Sequence, residues 1–144
     1  MDEQLRAERV AQVLQVRDRS VAGLGITLVS IGPGQAIFEM RVRPDMANGH
    51  GICHGGILFF LADTTFAFAA NSRNLNTLAQ HNSITYLSPA QVGEALRAEA
   101  TEVSRSGRSS VYDVVVTGED GRQVALFRGH GRTVKGHIFA EDNM

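Results

Sequence analysis

The residues best able to do chemistry lie in one stretch of the chain. Asn48-Gly49-His50-Gly51-Ile52-Cys53-His54-Gly55-Gly56 is a glycine-dense polar loop, and it runs directly into Ile57 to Ala70, an almost wholly apolar segment carrying one carboxylate, Asp63. Burying an unpaired carboxylate costs on the order of several kcal/mol, a large part of a domain's net stability. Asp63 must therefore be paired, near water in a cleft, or functional. Gly55 and Gly56 open the predicted helix, where the first N–H groups lack intrahelical partners and the helix dipole is positive. Such an end can hold a developing oxyanion, each donor being worth roughly 3 to 4 kcal/mol, and the missing side chains let a carbonyl come close. The same glycines also permit tight helix packing, which local pattern alone favours.

Asp63 lies eight residues beyond Gly55, about 12 Å along an α-helix. One carbonyl group cannot touch both. If the two serve one reacting carbon they come from different chains, with antiparallel helices of a dimer setting one subunit's terminus beside the other's carboxylate. The competing reading is a helix-bound carboxylate satisfied by Thr64, Thr65 or a backbone donor, and the pattern weighs the two evenly.

Other constellations are weaker. His50, Cys53 and His54 fall short of the four ligands of a structural zinc site, and no second cluster follows, so no metal is expected. Cys53 beside His54 is not a placed nucleophile and base, and a small buried thiol is the commoner outcome. His54 is expected to fix the loop through hydrogen bonds, and His81, on a predicted strand, has no identifiable role. No serine nucleophile elbow and no phosphate-cradling loop is present.

The elements that must position these residues are legible from spacing. In a chain of 144 residues with 43% hydrophobic content, one domain spanning 1–144 is expected. A formal net charge of -1 gives no reason to expect nucleic acid or an anionic membrane. One cysteine and an acidic N-terminus point to a cytoplasmic protein without disulfides. An N-terminal helix is expected within 1–22, ended by Gly23 and Gly25. Strands follow at Ile26 to Ile31 and Gln35 to Arg43, joined at Gly32-Pro33-Gly34. The helix from about Gly55 to Ala70 is too short to span a bilayer and is apolar nearly all round, so a sheet must wrap it. Leu78 to Leu87, Ala95 to Ser104, Ser109 to Thr117 and Gln123 to Gly129, with a continuation toward Val134, supply that sheet, the last three as an antiparallel meander. Residues 135–144 lack periodicity and are expected to fray. Six strands around one helix leave a flank that pairing two subunits would hide, so a homodimer is expected.

Asn48, Gly51, His54-Gly55-Gly56, Leu61-Ala62-Asp63 and Phe66-Ala67 resemble the signature of the hotdog-fold acyl-CoA thioesterases, in the branch associated with phenylacetic acid degradation. Ile84-Thr85-Tyr86-Leu87-Ser88-Pro89, Gly107-Arg108, Val111-Tyr112-Asp113 and Val124-Ala125-Leu126-Phe127-Arg128-Gly129 agree in order and spacing. The resemblance implies an α+β hotdog fold, an antiparallel sheet wrapped around a long central helix, here with an additional N-terminal helix. It implies thioester hydrolysis with Asp63 as nucleophile or as general base on water, Gly55 N–H polarising the carbonyl, Asn48 positioning carbonyl or water, and His54 supporting. It further implies active sites shared across a homodimer, dimers pairing into a homotetramer, and coenzyme A held by Tyr86 and by Ser104, Arg105, Ser106, Gly107, Arg108 and Ser109. Two arginines among small donors also suit phosphate physically. Some related enzymes carry a hydroxyl residue near position 79, where this chain has Ala79.

The expected substrate is an aryl-acyl-CoA such as phenylacetyl-CoA or a ring-hydroxylated derivative, with no separate cofactor because CoA belongs to the substrate. A medium or long fatty acyl-CoA thioesterase and a non-catalytic acyl-CoA-binding module remain alternatives. Asp63, Asn48 and Gly55 together argue against mere binding, which needs no carboxylate beside the thioester. The histidine-with-carboxylate arrangement of a hydratase is not found.

Overall fold

An apolar run such as Ile57 to Ala70 must be covered by other elements, and in the computed structural model, which describes residues 1–141, a sheet packs over most of it. Two helices, α1 (Glu3–Arg17) and α2 (Arg19–Gly23), precede strands β1 (Thr27–Gly32) and β2 (Gln35–Arg41). A 3-10 turn (Pro44–Met46) and the polar loop lead into the central helix α3 (Gly55–Asn71). Strands β3 (Thr77–Tyr86), β4 (Ala95–Ser106), β5 (Ser109–Thr117) and β6 (Gln123–Thr133) complete the chain. They form one six-stranded sheet in the order β1-β2-β4-β5-β6-β3, antiparallel throughout. This is the α+β hotdog arrangement expected.

The inner face of the sheet is built by alternation. Phe38 and Met40 on β2, Leu96, Ala98 and Ala100 on β4, Tyr112, Val114 and Val116 on β5 and Phe127 on β6 are all buried, as period-2 strands over a core require. Against them α3 sets Leu61, Phe66 and Phe68, with Phe38 and Phe68 edge to face at 4.8 Å. Gly129 marks the closest approach: a Cβ there would stand 2.7 Å from the Phe66 ring, so any side chain would push the helix off the sheet.

Three sequence expectations change. The N-terminal helix expected within 1–22 is broken at Asp18, whose extended backbone ends α1 and begins α2 while its carboxylate accepts from Ser20 Oγ at 2.6 Å. An aspartate that binds its local backbone or a nearby hydroxyl competes with helix continuation. The tail expected to fray from 135 is tied down as far as it is described. Asn74 Oδ1 accepts from Ile138 N and Phe139 N, Asn74 Nδ2 donates to Phe139 O, and Glu141 pairs with Arg6 at 3.0 Å. One side-chain amide in a left-handed residue, φ 66°, supplies the anchoring that periodicity cannot reveal; residues 142–144 of the expected tail lie outside the described residues. Finally, the strand expected to end at Ser104 runs on through Arg105 and Ser106, so the hairpin turn is only Gly107-Arg108.

The two sheet edges differ. β1 is short, carries a bulge and lies under α1. β3, the opposite edge, has ten residues, no Lys, Arg or Pro, and Leu78 and Tyr86 exposed at 61% and 50%. Long uncharged edges of this kind invite another strand.

Candidate active site

The polar loop is built to deliver the start of α3. Asn48 Oδ1 accepts from His50 N at 2.9 Å and Ile52 N at 3.4 Å, and Gly51 takes the positive φ of 79° that closes the turn. Cys53 N donates to Ala90 O and His54 N to Met46 O, clamping the loop between two neighbouring segments. His54 then caps the helix, its Nδ1 accepting from Gly56 N at 2.8 Å. That is the loop-fixing role expected of it. Gly55 N–H finds no acceptor among the described residues.

Beside this terminus is a cleft of about 410 Å³ lined by Asn48, Ile52, Leu58, Tyr86, Leu87 and Pro89, with Gly55 in its wall. Tyr86 Oη donates to Gly55 O at 2.9 Å, and a Cβ on Gly55 would meet the Tyr86 ring at 3.0 Å. The structure thus brings Asn48, His54, Gly55 and Tyr86 together. Cys53 is buried, and burial pushes its thiol up to about 11, which suits packing rather than attack. Among the described residues no three of His, Cys, Asp or Glu converge on a point.

Asp63 is elsewhere. It sits more than two turns along α3 from Gly55, about 12 Å away by helical rise. The residues of α3 that the sheet leaves incompletely covered include Gly56, Phe59, Phe60, Asp63 and Ala67, a stripe at intervals of three and four on one helix face. Asp63 Oδ1 accepts from Asn82 Nδ2 on β3 at 3.1 Å, whereas Thr65 Oγ1 donates to Leu61 O. The partner of the carboxylate is therefore a residue of the neighbouring strand rather than the adjacent Thr65. Burial pushes the Asp63 carboxyl above its ordinary value, the Asn82 hydrogen bond pulls it back, and the charge of Asp18 adds to the rise.

Asn82 escaped the sequence reading. Its one signal is an amide in a strand, where asparagine is disfavoured. Alternation counted from buried Thr77 would turn Asn82 away from α3, but a bulge between Ala79 and His81 slips the phase by one residue. Ile84 then packs on the core and Asn82 reaches the helix. His81 instead faces His130 of β6, ring centroids 5.5 Å apart.

The residues expected to hold coenzyme A do not converge within one chain. Tyr86 pairs with Ala125, whereas Ser109 and Thr77 pair with Arg132 and Thr133 at the far end of β6. Thr133 N donates to Arg108 O, fixing the Gly107-Arg108 turn there, about 26 Å from Tyr86 along the strand. Ser104, Arg105, Ser106, Arg108 and Ser109 are exposed. Arg105 Nε lies 3.8 Å from Glu102, a carboxylate already held by Arg73 at 2.6 Å and by Tyr112 Oη at 3.0 Å.

Residues 50–125 match the thioesterase superfamily. The chain is 38% identical over 136 residues to the acyl-coenzyme A thioesterase PaaI of Escherichia coli (strain K12), covering 94% of this chain and 97% of that one. The solved structure of the E. coli PaaI protein from the phenylacetic acid degradation operon matches with a TM-score of 0.93 at 36% identity, over 94% of this chain and 99% of that chain. The crystal structure of smu.793 from Streptococcus mutans UA159 bound to acetyl CoA matches with a TM-score of 0.75 at 25% identity, over 78% of this chain and 90% of that one.

Proposed function

Since the chain belongs to the thioesterase superfamily, we propose that it is an acyl-CoA thioesterase acting on aryl-acyl-CoA of the phenylacetyl-CoA or hydroxyphenylacetyl-CoA type. The observation that carries the reading is a half-buried carboxylate, Asp63, on the uncovered stripe of α3, with a helix-terminal N–H at Gly55, the first residue of the same helix, that meets no acceptor among the described residues. The resemblance to a protein of the phenylacetic acid degradation operon supports the aryl preference.

The site is completed by a second copy of the chain. Setting the helices antiparallel with Asp63 beside Gly55 of the partner subunit puts the two-fold axis midway, at Phe59. On β3, Asn82 marks the Asp63 position and Tyr86 the Gly55 position; pairing these strands with Asn82 opposite Tyr86 of the partner subunit puts the same axis at Ile84. The spans agree, about 12 Å on the helix and about 13 Å on the strand. One two-fold therefore joins the open β3 edges and covers the α3 stripes at once. It also carries Tyr86 of the partner subunit toward the Arg105 and Arg108 end of this chain, where an extended CoA phosphate would meet two guanidinium groups. Leu126, 39% exposed on the outer sheet face beside Val115, supports a further pairing of dimers into a homotetramer.

In hydrolysis the thioester carbonyl oxygen accepts from Gly55 N–H, and the amide of Asn48, whose Oδ1 is spent on the loop, has its Nδ2 left for carbonyl or water. Asp63 either takes a proton from a water that attacks the carbonyl carbon, or attacks that carbon itself to form an acyl-Asp63 anhydride, which water then hydrolyses to the free acid and the regenerated carboxylate. A C–O bond forms, the C–S bond breaks, and the sulfur of CoA leaves as thiolate, to be protonated. Both routes need Asp63 ionised, and Gly55 stabilises the oxyanion in both. A panel of aryl and alkyl thioesters assayed by free-thiol release tests the proposal. Faster turnover of phenylacetyl-CoA than of octanoyl- or palmitoyl-CoA is expected; intact thioester after long incubation would overturn it.

A further inference from the structure

A buried amide oxygen beside the reactive carboxylate has no partner. Asn82 Oδ1 is sealed from solvent and meets no donor among the described residues, while its Nδ2 donates to Asp63 Oδ1 at 3.1 Å. An unpaired buried acceptor is costly, so some other demand sets the orientation of this amide. An ionised carboxylate only accepts hydrogen bonds, and of the two ends of the amide only the nitrogen donates. Turned over, the amide would set its oxygen against Asp63, an arrangement that only a protonated carboxyl could satisfy.

We infer that Asn82 is a positioning residue for Asp63: its amide fixes Oδ1, leaves Oδ2 to face the reacting carbon or water, and holds the carboxyl in its ionised form. This rests on the reading of Asp63 as the reactive carboxylate. The environment makes such a residue necessary, because burial and the charge of Asp18 at the α1–α2 junction both favour the protonated form. Within α3 Asp63 is the only charged side chain. On β3 the only titratable groups besides are His81, which faces His130 on the sheet's other side, and Tyr86, bonded to Gly55 O. Nothing else among the described residues donates a hydrogen bond to Asp63. The bulge in β3 is what aims the amide, since without that slip Asn82 would point outward.

The test measures pH profiles of kcat and kcat/KM on phenylacetyl-CoA by free-thiol release, for the wild type, Asn82→Leu, Asn82→Asp and Asp63→Asn. Removing the donor in Asn82→Leu is expected to raise the acid limb by about 1 pH unit and lower kcat about tenfold, with KM within about twofold. In Asn82→Asp two carboxylates share the site, and the limb is expected to move up by about 2 units. Circular dichroism and Tm establish folding; should Asn82→Leu not fold, the nearly isosteric Asn82→Asp decides. Acid limbs unchanged from wild type, or a change confined to KM, overturn the inference. If Asp63→Asn is inactive while the Asn82 variants keep the wild-type limb, only the role of Asn82 falls. If Asp63→Asn keeps full activity, the reading of Asp63 falls with it.

Discussion

Asp63 and Gly55 are each exposed to a simple exchange of atoms. The fold raises the Asp63 carboxyl above its ordinary value, chiefly by burial. A carboxyl whose folded pKa exceeds the unfolded one favours the folded state at low pH, and that advantage is lost as pH rises through the folded value. Asp63→Asn is therefore expected to abolish thioester hydrolysis and to raise Tm above wild type at neutral pH. Melting curves followed down to about pH 3 should show this gain shrinking as the wild-type carboxyl protonates. Gly55 can be tested with its N–H removed. His54 has φ -60° and ψ 135°, the extended backbone that a following proline requires, and Gly55 is the first residue of α3, where proline costs no helical bond. Gly55→Pro is expected to fold and to lose about a hundredfold or more in kcat. Gly55→Ala keeps the N–H and asks only half-exposed Tyr86 to move, so it should lose much less; equal losses in the two variants would speak against an oxyanion role.

At the scale of elements, the site depends on segments that are not themselves catalytic. The link between β3 and β4 forms one wall of the cleft, bonded to Cys53 through Ala90 and bridged to Ile52 through Gln91. Glu94 holds that link. It accepts from Arg122 Nη1 at 2.6 Å and from the backbone of Gln91 and Glu119, and Arg122 pulls its carboxyl from 4.5 down to about 2. A carboxyl depressed by folding lends stability that is fully present above its unfolded pKa and lost as pH falls through the folded one. Glu94→Gln should thus lower the urea midpoint at pH 6, and the gap from wild type should close between about pH 4.5 and about pH 2. A gap independent of pH would show that the ion pair is not its source.

At the scale of the whole molecule, catalysis is proposed to be a property of two chains. Co-expressing Asp63→Asn with Gly55→Pro tests this directly. Half of randomly assembled dimers are hybrids, and each hybrid has one site with both groups intact, so roughly a quarter of wild-type activity should return. If each site belonged to a single chain, the mixture would be no more active than its parts. Size-exclusion chromatography with light scattering of Phe59→Glu, a charge set on the proposed two-fold axis, should show dissociation to smaller species together with loss of activity.

How much of this was legible in the chain follows from what local information can carry. The apolar run around Asp63, the glycines at its start and the turn residues between alternating strands specify their elements through neighbours a few positions apart. The central helix, six strands and the polar loop before the helix were readable for that reason. So was the distance between Gly55 and Asp63, because helical rise is constant. The strand order was not, since β3 follows α3 in sequence yet pairs with β6 at the far edge. Nor was the anchoring of residues 135–141 by Asn74, or the separation of Tyr86 from the Gly107-Arg108 turn. The pairing of Asn82 with Asp63 depended on one bulged residue reversing the inward and outward phase of a strand. Such partners are decided by register and crossing between distant segments, which only the tertiary packing of α3 against the sheet determines.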